Sequence, residues 1–331
     1  MNDIAIVGCG AVSETFYLPG LTELDGRVDH LVLVDKDERR LDRLADEYGA
    51  DRVTTDYQDI AGEVDGAVIA TPHHLHYSMA SDFIDSGAHV LIEKPVAETA
   101  EQARELSQKA EEGGVGVLVN NTRRLFPSYA RAKELVEQGK IGEVERITYE
   151  EGGEYNWPTT SGFYFTSGTG VLLDRGAHVL DLVCWWMDET PQLTSYRDDS
   201  FGGCEAVAEV KFGTGTCYAR VKLSWLNKLD NRYVIEGTRG KIEGEIYEWD
   251  KLTLTTGGNS RQINISSDVK YFEHFRRPLL RNFLDMIEGS TPSKITPYDV
   301  EGSIALMEQC YSNRQQFDLP WMKSLETTTH E

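Results

Sequence analysis

The chain has 331 residues, 40% of them hydrophobic, and 55 acidic against 33 basic side chains, which gives a formal charge of −22. A surface of that sign repels nucleic acid and anionic lipid, and no apolar run reaches the roughly 18 residues of a membrane span. Five scattered cysteines without a C-x-x-C pair indicate neither a zinc site nor a disulfide framework. The start, "MNDIAIVG", lacks a signal-peptide pattern, so a reducing cytoplasm is the expected compartment. Lysine is sparse relative to arginine, a surface that also suits a salt-rich cytoplasm.

The length suits two cores. In the first third, "IAIVG" (4–8), "HLVLVD" (30–35), "GAVIA" (66–70), "HVLIE" (89–93) and "GVLVN" (116–120) are continuous apolar runs rich in Val and Ile. Such runs predict strands covered on both faces. Helical patterns lie between them, at 37–49 and at 99–114, the second opening on Thr99 with Gln102 three residues on and closing on Gly113 and Gly114. This alternation predicts a doubly wound parallel sheet over 1–120. From about residue 143 the runs at 143–155, 205–212, 216–226, 232–238, 241–247 and 251–256 alternate polar and apolar. They predict an open, mostly antiparallel sheet in a second, α+β domain over 121–331. Helical patterns interrupt it at 128–139, 171–187, 270–288 and 298–315. No flexible spacer separates the halves, so a tight interface is expected.

"IAIVGCGAVSE" sets Gly8 and Gly10 directly after the first strand, with Ala11 and Val12 opening the next turn and Ser13 where a third glycine often stands. The first glycine permits a tight turn. The second lets backbone approach a pyrophosphate at the positive end of a helix. Asp35 ends the second strand, the place of an acid that pairs with adenosine ribose hydroxyls, which favours NAD. Lys36, Arg39 and Arg40 follow it and keep NADP open. "ATPHHLHYSMA" (70–80) brings Thr71, Pro72 and His76 to the C-terminal end of the third of these runs, where ligands bind in open parallel sheets. No carboxylate or cysteine cluster accompanies its histidines, so no metal is expected. Glu93, Lys94 and Pro95 end the fourth run on the same rim, and Pro95 stiffens the turn. Beside a cationic ring, a lysine held there can act on a reacting hydroxyl. In "GTGVLLDRGAHVLDLVCWW" (168–186), Asp174 and His178 are four apart and share one face of a helix. An aspartate in that position favours the imidazolium and fixes the ring.

Together, "GCGAVSE" with Asp35, "ATPHHLH", "EKP", "NNTRRLFP" (120–127) and "GTGVLLDRGAH" resemble the Gfo/Idh/MocA oxidoreductase family, in the family's order and over nearly the whole chain. The departures are Ser13 for the last glycine and Thr169 within the glycine-rich stretch. The resemblance implies an N-terminal Rossmann domain binding NAD, or NADP, through Gly8, Gly10, Ala11, Val12, Asp35, Lys36, Arg40, Thr71, Pro72, His76, Glu93 and Lys94. It implies a Lys94–Pro95 bond that is often cis, with Asp174 and His178 facing Lys94 across the cleft between the domains. The implied reaction is dehydrogenation of a secondary alcohol, or reduction of a ketone, on a sugar, cyclitol or sugar derivative. Lys94 and His178 move the proton and Asp174 orients His178 or binds a neighbouring hydroxyl. Arg123, Tyr155, Trp157 and Tyr164 are candidates for binding substrate, and Arg124 and Arg175, like Arg123, for holding a carboxylate or phosphate. The outer face of the second sheet is the expected contact of a homo-oligomer, a dimer or tetramer, with residues such as Tyr218, Val221, Leu223 and Trp225 supplying apolar surface for it. Two other activities occur in such proteins: NAD-dependent glycosidase action through a transient redox cycle, and non-catalytic regulation by dinucleotide binding. Retention of Lys94, Asp174 and His178 argues against the second.

Overall fold

The computed structural model describes residues 2–24, 26–155, 170–200, 203–267 and 272–318. Its first sheet is made of the apolar runs: β1 (Asp3–Val7), β2 (His30–Val34), β4 (Gly66–Ile69), β5 (His89–Ile92) and β6 (Val117–Val119). A three-residue strand, β3 (Arg52–Thr54), joins them at the edge. The order is β3-β2-β1-β4-β5-β6, and every pairing is parallel. Chain progression reverses between β1 and β4, which opens a crevice beyond their C-terminal ends. Helices α1 (Leu18–Thr22), α2 (Glu38–Tyr48), α3 (His76–Asp85) and α4 (Ala100–Gly113) flank the sheet. Thr99 caps α4 by accepting from the Gln102 backbone N–H at 3.2 Å. Gln102 reaches one residue further back than a capping box would, accepting from the Glu98 N–H at 3.1 Å. The helix stops at Gly114 in the left-handed region (φ 66).

Helix α5 (Pro127–Glu137) leads into the second sheet: β7 (Val144–Gly152), β8 (Gln192–Asp198), β9 (Val207–Gly213), β10 (Tyr218–Ser224), β11 (Arg232–Gly237), β12 (Gly240–Glu245), β13 (Lys251–Thr256), β14 (Asn259–Asn264) and β15 (Gln315–Gln316). The order is β14-β13-β12-β11-β7-β10-β9-β8-β15. It is antiparallel except where β7 meets β10 and β8 meets β15. Helix α6 (Ala177–Met187) packs against β7 and β10. The chain then returns through α7 (Arg276–Ile287) and α8 (Pro297–Ser312). Leu279, Leu280, Phe283 and Leu284 of α7, with Val300 and Ile304 of α8, belong to the apolar core of the first sheet. Leu306, Met307 and Cys310 of α8 lie in the core of the second sheet, so this returning segment ties the two sheets together.

The expected apolar outer face is not there. Along β10, Ala219, Val221 and Leu223 are fully buried, and Trp225 just beyond its end nearly so, in the core of the second sheet. Tyr218, Arg220 and Lys222 take the other face, where Arg220 pairs with Glu209 at 2.6 Å. One strand supplies one apolar face, because side chains alternate. Among the described residues no helix is long and apolar enough to cross a membrane.

Candidate active site

A cleft of about 830 Å³ lies at the C-terminal rim of the first sheet and is closed on its other side by residues of the second half of the chain. Gly8 makes its first turn. It holds φ +91, and a Cβ there would stand 2.6 Å from the Ala70 carbonyl oxygen, so only glycine fits between the ends of β1 and β4. Ser13 is fully buried and its hydroxyl donates to the Gly8 carbonyl at 2.6 Å, which explains why a serine serves where a third glycine was expected. A Cβ at Gly10 would meet nothing within 4 Å, leaving that backbone open to a ligand.

At the far end of the cleft, Asp35 is tightly fixed. One oxygen accepts from the Cys9 N–H at 2.8 Å and the other from the Asp37 N–H at 2.9 Å. Arg40 Nη1 lies 3.1 Å from both oxygens. Lys36, Ala11, Val12, Thr71 and Pro72 also line the cleft, while Arg39 is exposed on α2 outside it. His76 behaves differently from expectation. It is buried, its Nδ1 is 2.7 Å from the Pro95 carbonyl and its Nε2 2.8 Å from the Thr71 carbonyl. It thus forms wall and couples the two turns, and neither ring nitrogen is turned toward a ligand.

The Lys94–Pro95 bond is cis. Glu93 is held by the Tyr17 hydroxyl at 2.6 Å, the Asn120 amide at 2.5 Å and the Lys94 N–H at 3.2 Å. Lys94 Nζ donates to the Asp174 carbonyl at 2.7 Å and lies 3.4 Å from its carboxylate. The other Asp174 oxygen accepts from Trp225 Nε1 at 3.1 Å. So Lys94 and Asp174, eighty residues apart, form one pair across the cleft.

Asp174 does not pair with His178 as the four-residue spacing suggested. Residues Leu172–Gly176 form a π-helical turn, which breaks the 3.6-residue register on which that pairing depends. The charge consequence is also reversed. Burial, then the positive charges of Lys94 and Arg123, push the His178 imidazole well below its usual range. His178 Nδ1 is buried and has no hydrogen-bond partner among the described residues. His73, on the same wall, is pushed down to about 4 by burial and by neighbouring His76 and His74.

The turn is anchored from behind. Glu205, fully buried, accepts from the Gly170 and Leu172 N–H groups, each at 3.0 Å, and from the Tyr311 hydroxyl at 3.1 Å. Arg314 Nη2 reaches its other oxygen at 2.6 Å, while Arg314 Nε contacts Asp198, a second fully buried carboxylate.

The arginines sort themselves. Arg123 lines the cleft, but its fork grips Glu151 at 2.5 and 2.9 Å. Burial raises the Glu151 carboxyl, yet the Arg123 guanidinium outweighs it and leaves it below the usual range. Arg124 points away, paired with buried Asp181 at 2.5 and 2.9 Å. Arg175 lines the cleft and bonds only backbone among the described residues. Tyr155 also lines it, its ring 4.7 Å from that of Trp225. Trp157 and Tyr164 lie outside the described residues. Glu151, Asn120, Tyr17 and Trp225 were not singled out as site residues. Asn120 alone carried a signal, standing at the end of an apolar run within "NNTRRLFP". Tyr247, 58% exposed on the turn after β12, feels the charges of Glu151, Arg175 and Arg123.

Known proteins can now be set beside this geometry. Residues 3–121 match the family model described as an oxidoreductase family with an NAD-binding Rossmann fold, and residues 129–243 match the GFO/IDH/MocA C-terminal domain. The chain is 29% identical to levoglucosan dehydrogenase of Pseudarthrobacter phenanthrenivorans over 51% of its own length, spanning about half (47%) of that protein. It is 25% identical to 1,5-anhydro-D-fructose reductase of Ensifer adhaerens over 92% of its length and 94% of that protein's. An oxidoreductase from Agrobacterium radiobacter, crystallised with NAD+, L-tartaric acid and magnesium, has the same fold with a TM-score of 0.82 at 18% identity, over 94% of this chain and 96% of that one. The two models take in the whole first sheet and the central strands of the second, and meet at the cleft: the chain belongs to the Gfo/Idh/MocA oxidoreductase family and is an NAD(P)-dependent dehydrogenase or reductase.

Proposed function

We propose that this enzyme interconverts a secondary alcohol and a ketone on a sugar, cyclitol or sugar derivative, with the reacting oxygen between Lys94 and His178. The observation that carries this is the contrast at the centre of the cleft. Lys94 Nζ is fixed by Asp174, whereas the neighbouring His178 imidazole is held well below its usual range and has a buried nitrogen with no hydrogen-bond partner among the described residues. A neutral imidazole can take the proton of a hydroxyl, and a pinned ammonium can polarise the same oxygen. Asp174 sets the position of Lys94 in this scheme. The sugar class is supported by what the two named relatives act on, levoglucosan and 1,5-anhydro-D-fructose.

The cradle fits a dinucleotide: Gly8 admits no Cβ, and the Gly10 backbone is open. Gly8, Gly10, Ala11 and Val12 would hold the pyrophosphate, Asp35 the adenosine ribose, and Thr71, Pro72 and Glu93 the nicotinamide end. When bound, NAD(P) supplies or accepts the hydride; the chain orients the substrate and handles the proton. NAD is preferred in this reading, because Asp35 is fixed where a 2′-phosphate would bring a like charge. Arg40 would have to leave Asp35 to receive that phosphate. The compartment is cytoplasm. The assembly is a homo-oligomer, dimer or tetramer, through the outer face of the second sheet, which carries paired charges such as Arg220 and Glu209 rather than apolar side chains. Screening sugars and cyclitols for a change in NAD(P)H absorbance tests the activity. Turnover of a polyol or keto-sugar supports it, and binding of the dinucleotide without turnover of any compound removes it. Light scattering showing a monomer removes the assembly.

A further inference from the structure

Three arginines line the cleft. Arg40 meets Asp35, and Arg123 meets Glu151. Arg175 meets no carboxylate among the described residues. Its Nη1 donates to the Ser224 carbonyl at 2.7 Å and its Nη2 to the Gly153 carbonyl at 3.1 Å. A guanidinium has five N–H donors and stays charged at any working pH. Two donors therefore pin the group between the ends of β10 and β7, and three are left.

The acids that line the cleft are occupied. Asp174 is taken by Lys94 and Trp225, Glu151 by Arg123 and Tyr149, and Glu93 by Tyr17, Asn120 and the Lys94 N–H. Nor can the stretch between Tyr155 and Gly170 supply a counter-charge, because residues 156–169, "NWPTTSGFYFTSGT", contain no Asp or Glu. Glu151 feels the Arg175 charge only through space and is already matched by Arg123; a partly buried guanidinium with no carboxylate in its fork is costly to keep. In a chain of net charge −22, an arginine whose fork meets no acid among the described residues is a feature to account for.

Building on the sugar dehydrogenase reading, we infer that the substrate bears an anionic group, a carboxylate or a phosphate, which Arg175 receives while the reacting carbinol lies at Lys94 and His178. Arg175 is next to Asp174 and three residues before His178, so one turn carries both the anchor and the chemistry. The planar fork suits either anion. Sugar acids and sugar phosphates are the two sources. The overall negative charge opposes an arriving anion at long range, but salt screens that repulsion more than it screens a close ion pair.

The test uses sets of compounds that differ in charge: D-glucose with D-glucuronate and glucose 6-phosphate, and myo-inositol with myo-inositol 1-phosphate. Each is assayed with NAD+ and NADP+ on the intact enzyme and on Arg175→Gln and Arg175→Lys. Circular dichroism and cofactor titration establish that the variants are folded and loaded. A charged member should exceed its neutral counterpart in kcat/KM by at least about tenfold. Arg175→Gln should bring that ratio to near one, a loss of about 10- to 100-fold on the charged member and mostly in KM, as for a charge-assisted hydrogen bond. Arg175→Lys should restore part of it. The carboxylate and phosphate arms identify the source. Equal turnover of neutral and charged members, or an equal loss on both in Arg175→Gln, would make Arg175 a backbone pin only and overturn the inference alone. Turnover of none of the compounds by the unaltered enzyme would remove the dehydrogenase reading and this inference with it.

Discussion

His178 lines the cleft and feels two cations, Lys94 and Arg123, and desolvation together with those charges holds its imidazole well below the usual range. It is a base at neutral pH. The acid limb of kcat/KM for alcohol oxidation that reports His178 should therefore fall below pH 6.5, with little change from pH 8 down to that value, and Arg123→Met should move it upward by removing one of the cations. A pH–rate profile at fixed salt checks this, and a limb at or above pH 6.5 in the unaltered enzyme would contradict it. At this scale the sequence was a partial guide. Lys94, Asp174 and His178 do meet around one cleft, as the "EKP" and "DRGAH" motifs implied. Their pairings were hidden, because a spacing of four presumes an α-helical turn and Leu172–Gly176 is π-helical. Arg123 likewise looked available, since nothing local reveals that Glu151 of β7 fills its fork.

The turn that delivers Asp174 and Arg175 to the cleft depends on its buried anchor. A Cβ at Gly170 would stand against the Glu205 carbonyl oxygen, and the Glu205 carboxylate caps the N–H groups of residues 170 and 172. Arg314 is the cation shared by Glu205 and Asp198. Arg314→Met leaves two fully buried carboxylates without it, which should cost about 3–5 kcal/mol of stability. Chemical denaturation measures this; a loss under about 1 kcal/mol would mean the acids find another partner or protonate freely. Elements with strong apolar periodicity were legible, including all the long strands of the first sheet and the helices near 128–139, 171–187, 270–288 and 298–315. The ones passed over had little pattern to show. Strand β3 has three residues at a sheet edge, β8 holds only Leu193 and Tyr196 as apolar side chains among its seven residues, β14 is almost wholly exposed, and β15 has two residues. The end of the chain thus hid its role: Arg314 precedes β15 and reads as an ordinary surface arginine.

For the molecule as a whole, two forces respond to solvent. Net charge of −22 makes the compact state repel itself, and added salt screens that repulsion. The melting temperature should rise as sodium chloride is raised from near zero to about 1 M, a range over which the Debye length falls to roughly 3 Å; a flat or falling trend in differential scanning calorimetry would contradict this. Protons act in the opposite direction. Burial depresses the imidazoles of His73, His76, His89 and His178, so below about pH 6.5 the unfolded chain binds protons that the folded chain refuses. Their contribution is present in full above that pH and is lost as pH falls toward their folded values, which for His73 is about 4. Stability measured by urea denaturation should therefore decline from pH 6.5 to pH 4.5, and an increase over that range would contradict the burial assigned to these rings. The two-sheet plan was readable from the switch between continuous and alternating apolar runs; the return of α7 and α8 into the first core was not, since an amphipathic helix does not announce which sheet it covers. The central claim is that the halves meet to place Lys94 and His178 on one reacting oxygen. Steady-state kinetics of Lys94→Ala and His178→Ala on a verified substrate, with cofactor affinity measured by calorimetry on the same samples, tests it most directly. The account predicts turnover reduced about 10²–10⁴-fold in each with cofactor affinity within a small factor of the unaltered enzyme, and near-normal turnover in both variants would contradict it.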